Sequence, residues 1–419
     1  MAGARPTVRI VAWDGSHNAF GRAHTLADIA ARFARPSLVA PLFGIGGPGL
    51  WPPLAGQVGH PLRLLPGRPL APFLAGLARD VADSGPVDVV HVSKPRLPSL
   101  LLGMMTALAH GARLIVDVDD DELAFVGANE PLTWDEAVAE SGVHAGASWP
   151  HDRVWTCFAH TLVPLADAVT VANVALRERL GGTLIRHARD ETRQPPDLAQ
   201  RLATRRGLGL RGDDVVLAFV GTPRAHKGLG DVVAALDRAG DPRLVLVVAG
   251  DIRDAATATT LRARRGRVQL LPDQPFSRVA DLVAMADAVP LLQRPEFRVS
   301  VAQIPAKLTD AMAARVPVLA TEVPPLRDIH AAGALVPVTG EGALDAALAK
   351  LLGDRQAFAG TVQRAGELFA REFSLAANAD CLAAVYRGPI HADRRHAMRE
   401  VLLRIHRHAG VAPPGWLGR

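Results

Sequence analysis

The sequence predicts an α/β protein built on parallel sheets, and three observations carry that prediction. Apolar runs of five or six residues recur along the chain, separated by stretches of helical periodicity. Polar loop residues cluster just after several of those runs, at the strand ends where ligands sit in such sheets. The chain has 419 residues, more than one ordinary core encloses, so two domains of about 200 residues each are expected.

A first strand is expected at 8–13 (VRIVAW), followed by the polar loop DGSHN. The helix after it places Leu26, Ile29, Ala30 and Phe33 on one face. Gly21 opens that helix, where a missing side chain either lets a ligand approach backbone N–H groups or serves an ordinary turn. Residues 41–72 are rich in Pro and Gly and show no usable period, while 73–83 read as a helix. A strand at 87–92 (VDVVHV) leads into Ser93, Lys94, Pro95 and Arg96, then into a helix ending at His110.

The next strand, 114–118, discharges into Asp117, Asp119, Asp120, Asp121 and Glu122. Crowded carboxylates repel one another, and three duties stay open for them: capping or solvated surface, contact with a substrate, or a divalent cation. Residues 123–160, with Trp134, His144, Trp149, His151, Trp155 and His160, read as an irregular helical insertion. Strands at 167–171 and 183–186 flank a helix at 175–180, and the polar, Arg-rich stretch 189–214 marks a domain boundary.

The second half alternates strands at 215–220, 244–249, 268–271, 288–292, 316–321 and 334–338 with helices, including 279–286 and 306–314. After the first of these strands comes a basic loop, Gly221-Thr222-Pro223-Arg224-Ala225-His226-Lys227-Gly228. Near the C-terminus Met398, Val401, Leu402 and Ile405 form one apolar stripe on a helix otherwise covered by Arg and His. Such a helix suits either an anionic membrane surface or a neighbouring domain.

Composition narrows the function. Apolar content of 49% indicates a globular chain. The two cysteines, Cys157 and Cys381, lack metal spacing and fit a reducing compartment. With no signal-peptide pattern and no apolar run of about 18 to 20 residues, a cytoplasmic location is expected, peripheral at the inner membrane face if the basic helix binds lipid. Arginines outnumber lysines 43 to 4, and three of the four lysines, Lys94, Lys227 and Lys307, fall in loops expected to face ligands. An ammonium and a guanidinium are not interchangeable at a phosphate. The arginines are scattered without a nucleic-acid motif, so no nucleic-acid partner is expected. No G-x-G-x-x-G follows an expected strand, which argues against a nicotinamide enzyme.

The second half resembles the retaining GT-B glycosyltransferases of the "glycosyl transferases, group 1" family. The resemblance runs in order through ADAVTVANVALRERLGGTLIRHARDE, GLGLRGDDVVLAFVGTPRAHKG, AMADAVPLLQ and PAKLTDAMAARVPVLAT. The first half is similar more loosely, through a Gly after the first strand and VDVVHVSKPRLPSLLLG. The resemblance implies two Rossmann-like domains facing a cleft, with a C-terminal crossover helix. The implied divisions are an acceptor domain at 1–190, a linker at 191–214, a donor domain at 215–375 and returning helices at 376–419.

It also implies an activity: transfer of a sugar from a nucleotide-diphosphate sugar to an acceptor hydroxyl with retained configuration, using no cofactor and no obligatory metal. Lys227 matches the family's lysine at the donor diphosphate, and Arg224 would take the arginine's role, because Gly221-Thr222 stands where the family has Gly-Arg. Asp310 matches the acidic residue on the ribose, while the family's earlier glutamate is Ala302 here. Pro305, Ala306 and Lys307 would bring a helix N-terminus to phosphate, with N–H donors only from Ala306 onward. Gly21 would add to the donor contacts. In the first domain Asp120 stands nearest a position where many relatives carry His, with Asp119 beside it, and Lys94, Asp117 and Glu122 are acceptor-binding candidates. Thr222 and Ala302 keep open a second reading, an inactive GT-B-like nucleotide-binding or partner protein. The base, the sugar, the acceptor and the oligomeric state are not legible.

Overall fold

The computed structural model describes residues 5–142, 149–252, 255–263 and 267–418, so His144 lies outside the described residues. The chain forms two compact units. Unit 1 comprises Met1–Ala172, Leu176–Arg186 and Asn378–Arg419, and unit 2 comprises Asn173–Ala175 and His187–Ala377.

Unit 1 holds seven strands: β1 (Thr7–Ala12), β2 (Arg35–Leu42), β3 (Leu62–Pro66), β4 (Val89–Ser93), β5 (Arg113–Val118), β6 (Ala168–Val171) and β7 (Thr183–Leu184). They pair in parallel in the order β3-β2-β1-β4-β5-β6-β7. The order reverses between β1 and β4, the switch point where a doubly wound sheet leaves a crevice at its C-terminal edge. All of β5 (RLIVDV) is buried, as strands covered by helices on both faces must be. The helix Leu97–His110 packs tightly because of Gly103, where an added Cβ would lie 2.3 Å from Val92 Cγ2.

Strands β2 and β3 fall partly or wholly in the stretch that showed no period. Proline occupies both Pro36 and Pro41 of β2, and β3 is an edge strand with no fully buried residue. Prolines at strand ends and a solvated edge erase the alternation by which a strand is recognised. At the other terminus the helix Ala392–His408 belongs to unit 1 and buries Met398, Leu402 and Ile405 completely, whereas Val401 stays partly exposed. Arg395 fastens it by a 2.9 Å ion pair to Asp167 and a 2.6 Å bond to the Ala112 carbonyl. Among the described residues no helix is long and apolar enough to cross a membrane.

Unit 2 holds β8 (Val215–Val220), β9 (Leu244–Ala249), β10 (Arg267–Leu271), β11 (Val289–Leu291), β12 (Val318–Ala320) and β13 (Val336–Pro337), all parallel. Two three-stranded ladders, β10-β9-β8 and β11-β12-β13, meet through the bridge Leu217–Ala288. The combined order is the same doubly wound one. Two apolar clusters cover its faces, one around Met285, Leu308 and Met312, the other around Phe219, Leu229 and Leu348.

The stretch expected as a linker folds onto this unit. Its helix Leu198–Gly207 is tied down by Arg205, which donates to the Met285 carbonyl at 2.7 Å and to Asp287 at 2.6 Å, and by Arg201, 2.7 Å from Asp287. Two arginines of this stretch are structural, because one buried carboxylate, Asp287, collects both.

Candidate functional site

In unit 2 the polar residues gather where β8 ends. Gly221 donates its N–H to the Ala249 carbonyl at 2.8 Å and turns the chain at φ 123°, a left-handed conformation open mainly to glycine. The short turn Ala225–Lys227 follows, and its Lys227 ammonium returns to the Thr222 carbonyl at 2.9 Å. Gly228 ends the turn at φ 63°, where a Cβ would lie 2.3 Å from the Leu292 carbonyl oxygen. The loop is thereby pressed against the end of β11. Arg224 is exposed on it, while His226 is buried with a ring nitrogen 3.4 Å from Gln303 Oε1.

Lys307 begins the helix Lys307–Ala313 and is only 5% exposed. Its side-chain nitrogen lies 2.7 Å from the centroid of the Phe219 ring, and it forms no hydrogen bond or ion pair among the described residues. Burial above all, then repulsion from Lys227, pushes its pKa well below the ordinary lysine value, with Asp310 acting in the opposite sense. Two lysines from opposite ends of the motif region are therefore close enough to repel.

The other donor candidates are partly spoken for. Asp310 is gripped by Arg189, whose Nε and Nη2 lie 2.6 and 3.3 Å from its two oxygens. The pair is 121 residues apart, so nothing local in sequence announced it. The Pro305 and Ala306 carbonyls accept from Leu308 and Asp310 N–H at 3.0 and 3.2 Å. Ala302, in the place of the family's glutamate, offers only its carbonyl, which accepts from Asn173 Nδ2 at 2.8 Å. Gly21, in unit 1, spends its N–H on the Asn18 carbonyl at 3.2 Å and faces the Trp51 ring, so the expected backbone donor there is already used.

In unit 1 the acidic run is sorted by its partners. Asp117, in register with Ser93 and Thr170, is fully buried and takes Arg22 on both oxygens at 2.7 and 2.8 Å and Thr170 at 2.6 Å. The Arg22 charge, against burial, holds its pKa low. Asp121 caps the short helix Glu122–Phe125 by accepting from the Ala124 N–H at 3.2 Å. Asp119, Asp120 and Glu122 surround the Lys94 ammonium at 2.7, 2.7 and 3.1 Å. Glu122 also receives Arg96 Nε at 2.6 Å.

Lys94, Asp117 and Glu122, the acceptor-binding candidates, lie inside this ion-pair network. Each is buried and commits its charged atoms to the protein. The oxygens of Asp119, Asp120 and Glu122 lie within 4.8 Å of one another, close enough for a shared cation, and the chain's own ammonium sits among them. Asp120, 9% exposed, is the least buried of the three. Burial first, then the Asp120 and Asp117 charges, push the Asp119 carboxyl up to about 7, although Lys94 pulls it down. Glu122 is held down to about 2 by Lys94 and Arg96, against burial.

Aromatic and imidazole rings complete this edge; of these the sequence named His151 and His160 but gave them no role. Arg96 lies over the Trp13 ring at 4.8 Å, Trp13 meets His17 at 4.8 Å, and His151 meets Phe43 at 4.6 Å. Burial pushes His17 and His160 down to about 4. Trp13 and His17 follow the first strand, β1, in the loop that the sequence placed at a strand end.

Residues 200–367 match the family model described as glycosyl transferases group 1. Comparison with curated proteins gives no match. Among solved structures the chain is similar to HepE of Anabaena in complex with UDP-glucose, at TM-score 0.65 and 15% identity over 91% of this chain and 99% of that one. It is similar to sucrose-phosphate synthase of Thermosynechococcus elongatus at TM-score 0.65 and 17% identity, over 91% and 98% of the two chains. For WaaG, a glycosyltransferase involved in lipopolysaccharide biosynthesis, the TM-score is 0.59 at 15% identity, over 91% and 100%. At these identities the likeness establishes the fold, which is GT-B.

Proposed function

We propose that the chain is a glycosyltransferase that moves a sugar from a nucleotide-diphosphate sugar to an acceptor hydroxyl with retained anomeric configuration. One observation carries the reading: Lys227 and the buried, ion-pair-free Lys307 converge where β8 ends, inside the segment that matches the glycosyl transferase model. Among the described residues Asp310 is the one carboxylate acting on Lys307, and Arg189 already shares it. A diphosphate leaving group supplies a further anion, and its charge grows as the glycosidic bond breaks, so fixed cations stabilise the transition state more than the ground state. Arg224, exposed on the same loop, would add a charge-assisted hydrogen bond.

The acceptor hydroxyl would attack from the face that the diphosphate leaves. Its proton passes to the departing phosphate oxygen, the new C–O bond forms as the old one breaks, and no covalent enzyme intermediate is needed. Unit 1 would hold the acceptor through Asp120 and Asp119. A carboxyl near 7 is balanced between its neutral and charged forms at neutral pH, so it could donate a hydrogen bond to an acceptor hydroxyl or accept one, while the transferred proton goes to the phosphate. The lysines neutralise the leaving group, so a metal is not required. UDP-glucose is the first donor to test, because the Anabaena structure holds it. Proton NMR of the linkage formed tests the stereochemistry: the donor's anomer is expected in the product, and the opposite anomer would overturn the retaining reading.

A second reading, nucleotide binding without transfer, is favoured by the Arg189 grip on Asp310 and by Ala302 and Thr222. It predicts that nucleoside diphosphates raise the melting temperature while no nucleotide sugar is consumed.

A further inference from the structure

We propose that Lys307 is a proton-linked contact to the donor diphosphate: the empty site holds it as the neutral amine, and the bound phosphates hold it as the ammonium. The inference rests on the donor reading above and assigns Lys307 a role beyond its backbone.

The side chain is 5% exposed and meets an aromatic face rather than an oxygen. The charged groups that face it are Lys227, which repels its charge, and Asp310, which favours it. Asp310 is shared with Arg189 on both oxygens, so its charge is already largely neutralised. His226, next to Lys227, turns its ring toward Gln303. An ammonium withdrawn from water without an anion is unfavourable, and a lysine answers by losing its proton. An arginine could not do so. In a chain with 43 arginines and 4 lysines, a lysine at this place keeps that option.

A diphosphate reverses the balance. Its oxygens provide the missing counter-charge, the amine takes one proton from solvent, and an N–H···O contact to phosphate forms. One proton bound per nucleotide makes affinity fall about tenfold for each pH unit between the empty-site and bound-site pKa values. Binding would then tighten as pH falls, and a nucleoside without phosphates would show no such dependence.

The test is calorimetry of UDP binding to the full chain between pH 7.5 and 9, in buffers of different ionisation heat. This range lies above the second phosphate pKa of about 6, so the ligand's own titration is small. The wild type is expected to take up protons on binding UDP, at most one per nucleotide, with affinity falling as pH rises. Lys307→Met should bind more weakly, with a flat pH profile and no uptake, and Lys307→Arg should bind without uptake. Circular dichroism checks that each variant is folded. UDP binding by the wild type without proton uptake would overturn this inference alone. Uptake retained in Lys307→Met would move the proton to Lys227 and overturn it too. If none of UDP, ADP, GDP and dTDP binds, the donor reading fails and takes this inference with it.

Discussion

Removing the Lys94 ammonium tests the account of unit 1 most severely. The variant Lys94→Met keeps the length of the side chain but leaves Asp119, Asp120 and Glu122 facing one another with 3%, 9% and 2% exposure. Deleting one partner of a buried ion pair costs about 3–5 kcal/mol. The loss should grow with pH, because without Lys94 the Asp119 carboxyl, already pushed up to about 7, rises further and the folded variant keeps a proton that the wild type releases. Lys94 also sits at φ 68°, a left-handed conformation that costs a non-glycine residue about 1 kcal/mol. Lys94→Gly loses the same charge but relieves that strain, so it should be about 1 kcal/mol less damaged than Lys94→Met. Urea unfolding followed by tryptophan fluorescence reads this directly, because all six tryptophans, at 13, 51, 134, 149, 155 and 416, belong to unit 1. Both variants unfolding within about 0.5 kcal/mol of wild type, the range of ordinary surface changes, would refute the reasoning. So would a loss that does not grow with pH.

Other outcomes follow from the same geometry. Lys227→Ala should lower turnover about 100- to 1000-fold with the circular dichroism spectrum unchanged, and wild-type turnover would remove it from the site. Asp310→Asn should weaken unit 2 by about 1–2 kcal/mol through the loss of a charge-assisted bond to Arg189 while leaving UDP affinity within about threefold. A tenfold loss of affinity in calorimetry would instead place that carboxylate on the ribose. His17, His91 and His160 are each held down to about 4 by burial, so the unfolded chain protonates first. Their contribution is complete above about pH 6.5 and is lost as pH falls toward 4, at most about 3 kcal/mol each. Unit 1 stability equal at pH 7 and pH 5 would contradict this. Turnover should survive a chelator, and activity that magnesium alone restores would overturn the metal-free reading.

What the sequence displayed was set by neighbours along the chain. Strands β5, β8 and β9 were legible because RLIVDV, VVLAFV and LVLVVA are buried on both faces and leave an unbroken apolar run. The helix Lys307–Ala313 and the basic loop before Gly228 were legible for the same local reason. The fate of each charge was not. Lys94 reaches Asp120 across 26 residues, Arg22 reaches Asp117 across 95, and Arg189 reaches Asp310 across 121. Those pairings depend on which strands lie side by side, and sheet order has no local signature. The candidate lysines after β8 were therefore readable, while the Arg189 partner of Asp310 was not.

The central claim is that cations at the end of β8 serve a sugar-nucleotide reaction. Release of nucleoside diphosphate from UDP-, ADP-, GDP- and dTDP-sugars by the wild type and by Lys227→Ala, over a mixed panel of sugar acceptors, tests it most directly. The account predicts that at least one donor is consumed by the wild type, with transfer to an acceptor hydroxyl, and that the variant consumes it at least about 100-fold more slowly. Diphosphates that bind tightly while every donor stays intact would contradict it.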